Sequence, residues 1–200
     1  MTVVTTGYSD RINHALAFAA KHHDQQVRRG VRLPYLTQPP NVAIILTRYG
    51  QTDETVIAGI LLNVVKDYVN DGTAADIIKQ RIGDKFGGEV LEAVLAAVPA
   101  RSTELLESDA DARRVSYLRG LAQSPENARW VVAADALHEA ATLLADLRRT
   151  IDRNVVWARR SDGRGVAWYR DLVDALRRSG FNASIVDELD GVVGALERER

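Results

Sequence analysis

The residues of this chain that could do chemistry fall in four places. His22-His23-Asp24 puts two imidazoles beside a carboxylate, the residue types of a metal site or a catalytic dyad. Adjacent side chains on a helix point about 100° apart, so both imidazoles cannot easily face one ion. The alternative is that they sit at a helix C-terminus, interact with its dipole and pack under the loop that follows. That loop carries Arg28, Arg29 and Arg32 around Gly30. Guanidinium groups donate paired hydrogen bonds to phosphate, so Arg28 and Arg29 are nucleotide-binding candidates, with Tyr35 as a ring that could stack on a base. A solvated basic loop and a Pro-Tyr turn packed on the domain are the competing readings. Asn63, Lys66 and Asp67 close an apolar run, and Asp135 and His138 lie on a second apolar stretch. A buried Asp left without a partner is costly, so Asp135 is either the remnant of a metal site or the partner of another group; a polar cluster of Asn63, Lys66 and Asp135 is expected.

Other chemistries have no support. There is no Cys, hence no disulfide framework, thiolate zinc site or Cys nucleophile. No glycine-rich phosphate loop, zincin motif or nucleophile elbow is present. Lys and Arg total 26 against 27 Asp and Glu, for a net charge of −1, which gives no argument for nucleic acid or an anionic membrane as partner. The start of the chain lacks a basic region followed by an apolar core, and no apolar run approaches the roughly 18 residues of a membrane span. A cytoplasmic protein is expected. Its 200 residues, 46% of them hydrophobic, suffice for a single domain over 1–200 with a substantial core.

The elements that must position these groups are all helical by their spacing. Ser9 caps a first helix with Ile12, Leu16 and Ala19 on one face, running to about His23. Pro39-Pro40 opens a second helix that Gly50 ends. Thr52 or Asp53 caps a third, apolar nearly all round from Val56 to Val65 and therefore a central core helix. Thr73 and Asp76 resemble a capping box for a fourth, with Ile77, Ile78 and Ile82 inward; Phe86-Gly87-Gly88 breaks it before a fifth over Glu89 to Val98. A polar stretch from Ala100 to Asp109 reads as a loop, and a sixth helix follows to about Ala122. Ser124-Pro125 reads as cap and first position of a long helix bearing Trp130, Asp135 and Leu147 and continuing or kinking toward Trp157. A charged connection from Arg159 to Gly165 precedes an amphipathic helix that Gly180 stops, and a last helix starts at Asn182 or Ser184. The fold class is all-α, with about eight or more helices.

Ile60-Leu61-Leu62-Asn63-Val64-Val65-Lys66-Asp67 resembles the Leu-Leu-His-Asp-Val-Val-Glu-Asp signature of the RelA/SpoT-type alarmone hydrolases, the HD-domain enzymes that remove pyrophosphate from the 3′ position of (p)ppGpp. Other segments resemble that family in the same order: Phe18 to Gln25 its first-helix signature, Pro34-Tyr35-Leu36-Thr37-Gln38-Pro39 its Pro-Tyr-x-x-His-Pro, Ile82 to Val90 its phenylalanine-glycine junction, Ala134-Asp135-Ala136-Leu137-His138 its late Ala-Asp-x-Leu-His, and Trp168-Tyr169 an aromatic pair near its end. The resemblance covers about residues 8 to 180 and implies an HD-type helical bundle.

It also implies a Mn²⁺ site at the positions corresponding to the family's ligands, which here are Gln38, Leu62, Asn63 and Asp135. Imidazole or anionic oxygen donors hold such an ion, and of the four only Asp135 is one. Lys66 brings a positive charge to the place of the family's catalytic carboxylate, so Lys66 and Asp67 are vestigial positions. No metal cofactor is expected, and the expected protein is a catalytically inactive relative of the stringent-response hydrolases that works by binding. Its partner would be another protein, self-association included, or a guanine nucleotide held without cleavage. An active phosphohydrolase with a displaced site is the remaining alternative.

Overall fold

A computed structural model of the chain describes residues 8–24, 26, 34–68, 72–98, 110–160 and 165–199. Among them are ten α-helices and no strand: α1 Asp10–His22, α2 Gln38–Arg48, α3 Asp53–Tyr68, α4 Gly72–Phe86, α5 Gly88–Ala97, α6 Ala110–Ala122, α7 Glu126–Arg149, α8 Arg153–Arg160, α9 Gly165–Arg178 and α10 Ser184–Arg198, with one 3-10 turn at Tyr35–Thr37. Arg28, Arg29 and Arg32, and the stretch expected as a loop from Ala100 to Asp109, lie outside the described residues. No described helix is long and apolar enough to cross a membrane.

α3 is the hub. Every residue from Thr55 to Val65 is buried, as its lack of a polar face requires, and α1, α2, α4, α5 and α7 pack around it. Thr52 Oγ1 accepts from the Thr55 N–H at 3.4 Å and opens the helix. Ser9 does the same for α1, its Oγ accepting from the Ile12 N–H at 3.2 Å.

α2 approaches α3 closely because Gly59 has no side chain. A Cβ built there would lie 2.5 Å from Leu46 Cδ1 and 3.0 Å from Val42 Cγ1, so the glycine fixes the distance between the two helices. Gly50, at φ 68°, turns the chain out of α2, and Gly87, at φ 96°, separates α4 from α5.

α7 is the second axis. It packs on α2, α3, α5 and α10, which explains why Ala, Val and Leu occupy so much of its circumference. Trp130 stands between the rings of Tyr49, 5.6 Å away, and Phe181, 5.3 Å away and edge-on. α6 leans on α9, where Tyr117 stacks on Trp168 at 5.8 Å and Arg114 lies over the same indole.

Three expectations need correction. Ile77 is 45% exposed, while Ile78 and Ile82 are buried; Ile77 lies about 100° around the helix from Ile78 and falls beyond the buried face. Of the two courses expected for the long helix, unbroken continuation to Trp157 does not occur: it ends at Arg149, Thr150 takes an extended conformation, and a separate α8 that carries Trp157 begins at Arg153. Pro125, not Ser124, is the residue before α7, and it makes no side-chain cap.

Candidate functional site: a buried lysine-aspartate-glutamine cluster

Asp135 sits midway along α7 with its residue 5% exposed. Both of its carboxylate oxygens are engaged. Lys66, from the last turns of α3, brings Nζ to 2.6 Å from Oδ2, and Gln38, the first residue of α2, donates Nε2–H to Oδ1 at 2.7 Å. Three helices thus meet on one carboxylate. Burial alone would push the Asp135 carboxyl up, but the Lys66 charge and the hydrogen bonds from Lys66 and Gln38 outweigh it and hold it below the ordinary carboxylate value, with a smaller contribution from His138. Asp135 is therefore an anion whose charge is matched inside the protein.

Of the sequence candidates, the structure brings Lys66, Asp135 and Gln38 together. Asn63, one turn before Lys66 on α3, is 3% exposed, and its Nδ2 has no hydrogen-bond partner among the described residues. Leu62 is packed in the hydrophobic core. Sequence reasoning assigned Gln38 only a lost ligand's place and missed its donation to Asp135. The available signal was its residue type, since an amide keeps a donor where an apolar replacement would not.

Asp67 belongs to a neighbouring group. Its Oδ2 lies 3.5 Å from His23 Nδ1, which also meets Gln26 Oε1 at 3.0 Å. The His23 side chain is fully buried and its ring centroid is 4.8 Å from that of Tyr35. Gln26 O accepts from the Tyr35 N–H at 2.8 Å, so this group ties the end of α1, the 3-10 turn and the end of α3 together. His22 turns elsewhere, with Nδ1 3.4 Å from the Tyr68 hydroxyl and its ring against Phe18. The two adjacent imidazoles diverge, as helical geometry demands. Burial, followed by the charges of His23, Arg81 and Lys21, lowers the pKa of His22 and favours its neutral form.

Tested as a metal centre, this donor set does not fit. A divalent transition metal needs several imidazole or anionic oxygen donors converging in one shell. Here the positions supply one carboxylate, already bonded on both oxygens, two neutral amides and an alkyl side chain. Among the described residues, no group of three His, Cys, Asp or Glu side chains converges as a metal site would require.

Residues 15–159, which hold this helical hub and its cluster, match the HD domain family. The chain belongs to that family. A solved metazoan ortholog of SpoT, described as hydrolysing ppGpp with a role in starvation responses, superposes with a TM-score of 0.70 at 26% identity, covering 94% of this chain and 96% of its own. The guanosine-3′,5′-bis(diphosphate) 3′-pyrophosphohydrolase of Aquifex aeolicus (strain VF5) is 33% identical over 78 residues, 39% of this chain. The matched stretch spans 11% of that relative's length. A solved protein of Listeria monocytogenes EGD-e, at 23% identity and a TM-score of 0.61, shares the fold over 78% of this chain and 96% of its own. Within the HD domains, the chain therefore stands in the (p)ppGpp-hydrolase family.

Proposed function

We propose that this protein is a catalytically inactive member of the (p)ppGpp-hydrolase HD domains, acting by binding and not by hydrolysis. The observation that carries this reading is the Lys66 ammonium 2.6 Å from the Asp135 carboxylate, with Gln38 on the other oxygen. In metal-assisted hydrolysis a divalent ion lowers the pKa of a bound water so that hydroxide is available at neutral pH. A lysine ammonium carries one charge and has no vacant coordination position for water. It also stands where a second cation would be repelled. The lost donors come from separate segments, Gln38 on α2 and Leu62 with Asn63 on α3, which argues for an abandoned site and against a single slipped alignment.

The test is a titration of purified protein with ppGpp and with GTP, each with and without Mn²⁺, following heat of binding and pyrophosphate release together. The expected result is no pyrophosphate release under any condition. Release that requires Mn²⁺ and disappears in Asp135→Ala would overturn the reading. Heat without release would identify a nucleotide receptor, and silence in both channels would point to a protein partner.

A further inference from the structure

Where the end of α9 meets the start of α7, a serine hydroxyl lies among arginines. Ser179 directly follows Arg177 and Arg178 and is half-buried between exposed neighbours. It precedes Gly180, whose φ of 79° turns the chain toward α10. The Ser179 Oγ donates to the Leu176 carbonyl at 2.6 Å, and that carbonyl also accepts from the Phe181 N–H at 3.1 Å. Arg129, in the first turn of α7, brings Nη1 to 3.4 Å from both the Oγ and the carbonyl oxygen of Ser179. These contacts are long for a guanidinium. Arg129 otherwise lies over the Phe181 ring, and its Nε is buried with no hydrogen-bond partner among the described residues. Arg48, Arg114, Arg148, Arg153, Arg170 and Arg177 each meet a carboxylate; among the described residues Arg129 meets none. A guanidinium with donors to spare, held beside a hydroxyl, is matched to a phosphate ester formed on that hydroxyl.

We propose that Ser179 is a phosphorylation site and that Arg129 receives the phosphate. The phosphoryl donor is a nucleoside triphosphate bound to a serine kinase that prefers basic sequences, and Arg177 and Arg178 supply the charge such a kinase recognises. The Ser179 Oγ attacks the γ-phosphorus, the Oγ–P bond forms and the bond to the β-phosphate oxygen breaks. The nucleoside diphosphate leaves, and the hydroxyl proton passes to the kinase's base. Two effects then oppose each other at the ester. The C-terminal end of α9 repels an anion with roughly half an elementary charge, whereas Arg129 offers a full charge and several N–H donors in a fixed fork. The attraction prevails. Arg177 adds less, because Asp187 and Asp190 already hold it at 3.1 and 3.0 Å. Esterification costs the Oγ its donation to the Leu176 carbonyl, which keeps its bond from the Phe181 N–H. Arg129 turns from the Phe181 ring to the phosphate, and the phosphate ties the start of α7 to the turn between α9 and α10. None of these residues belongs to the cluster at Asp135, so the proposal is independent of the non-hydrolytic reading.

The experiment has two arms, both on the full chain. In the first, the protein is incubated with ATP and cAMP-dependent protein kinase, a serine kinase of basic preference, and the phosphorylated position is read by peptide mass spectrometry. The expected result is incorporation at Ser179 that disappears in Ser179→Ala and slows roughly tenfold or more in Arg178→Gln, as loss of a charged hydrogen-bond donor does. In the second arm phosphoserine is installed at position 179 during synthesis, so that the receptor is tested apart from the kinase, and the ester is titrated by ³¹P NMR. A phosphoserine free of neighbours loses its second proton near pH 6. Beside Arg129 its acid dissociation constant should be about threefold or more higher, because the guanidinium favours the dianion. Arg129→Gln should remove most of that increase, and Arg129→Lys, which keeps a charge, should retain part of it. Should Arg129→Gln not fold, the comparison of the native and Arg129→Lys proteins with the phosphorylated 173–183 peptide gives the same discrimination. No incorporation at Ser179, or an ester that titrates in the protein as it does in the peptide, overturns the proposal.

Discussion

Replacing Lys66 by Met tests whether the ammonium is what allows Asp135 to be charged inside the protein. Met retains most of the aliphatic stem and its packing, so the change is chiefly the loss of one positive charge and one hydrogen bond. Breaking a buried ion pair from one side costs about 3–5 kcal/mol, because an uncompensated charge is left behind. Two features reduce that figure here: Gln38 still donates to Oδ1 at 2.7 Å, and the Lys66 side chain is 30% exposed, so water already screens part of its charge. The expected loss at pH 7 is about 2–3 kcal/mol. In the native protein the Asp135 carboxyl titrates below its ordinary value, so its contribution to stability is present above the unfolded pKa of about 3.9 and is lost as pH falls through the lower folded value. In the variant, burial acts with the Lys66 charge removed and raises the folded pKa, so the folded state binds the proton more tightly than the unfolded chain does. The penalty should therefore be largest near neutrality and shrink as pH falls toward and below about 4. Urea denaturation at pH 7 and pH 4 measures both effects. Adding Asp135→Asn should restore stability to within about 1 kcal/mol of the native protein, because removing both partners is far less costly than removing one. A loss under about 0.5 kcal/mol at pH 7, equal losses at the two pH values, or no recovery in the double variant would refute the argument.

Gly59→Ala should destabilise the fold by about 1–2 kcal/mol net in denaturant titration, since overpacking against Leu46 and Val42 costs about 1–3 kcal/mol and the better helix propensity of Ala returns part of it; an unchanged midpoint would show that α2 can move away freely. Tyr49 has its pKa pushed up to about 12, first by burial and then by its hydrogen bond to Glu188. In an ultraviolet titration it should ionise after the exposed tyrosines, and Glu188→Gln should lower its pKa only in part because burial persists; full return to the ordinary value would contradict that order of causes.

The sequence made the helices legible wherever apolar spacing and a capping group agreed. α3 could be recognised as the hub because a run from Val56 to Val65 leaves no polar face to turn outward, and Ser9 marked the start of α1 by its own side-chain chemistry. The break between α7 and α8 was hidden, because Thr150 leaves the helix with no Pro or Gly at that position to signal it. Ile77 was misjudged since local periodicity cannot rank two adjacent isoleucines when the position of the neighbouring helix is unknown. In the candidate site, residue types announced the missing ligands and the charge at Lys66, and the Lys66–Asp135 pair was expected. Gln38 joins Asp135 across 97 positions of chain, and a contact of that separation is set by how α2 and α7 pack, which no local pattern encodes.

The Lys66 ammonium also bears on how this fold responds to its surroundings. A domain pinned by a dissociable ion has a stability that rises with the free concentration of that ion and falls when a chelator competes for it. Lys66 is attached to the backbone of α3, so the cation facing Asp135 has a local concentration fixed by the helix and cannot be diluted, exchanged or sequestered. On the non-hydrolytic reading proposed above, the join between α3 and α7 rests on covalent structure and not on mass action, and its occupancy follows pH through Asp135.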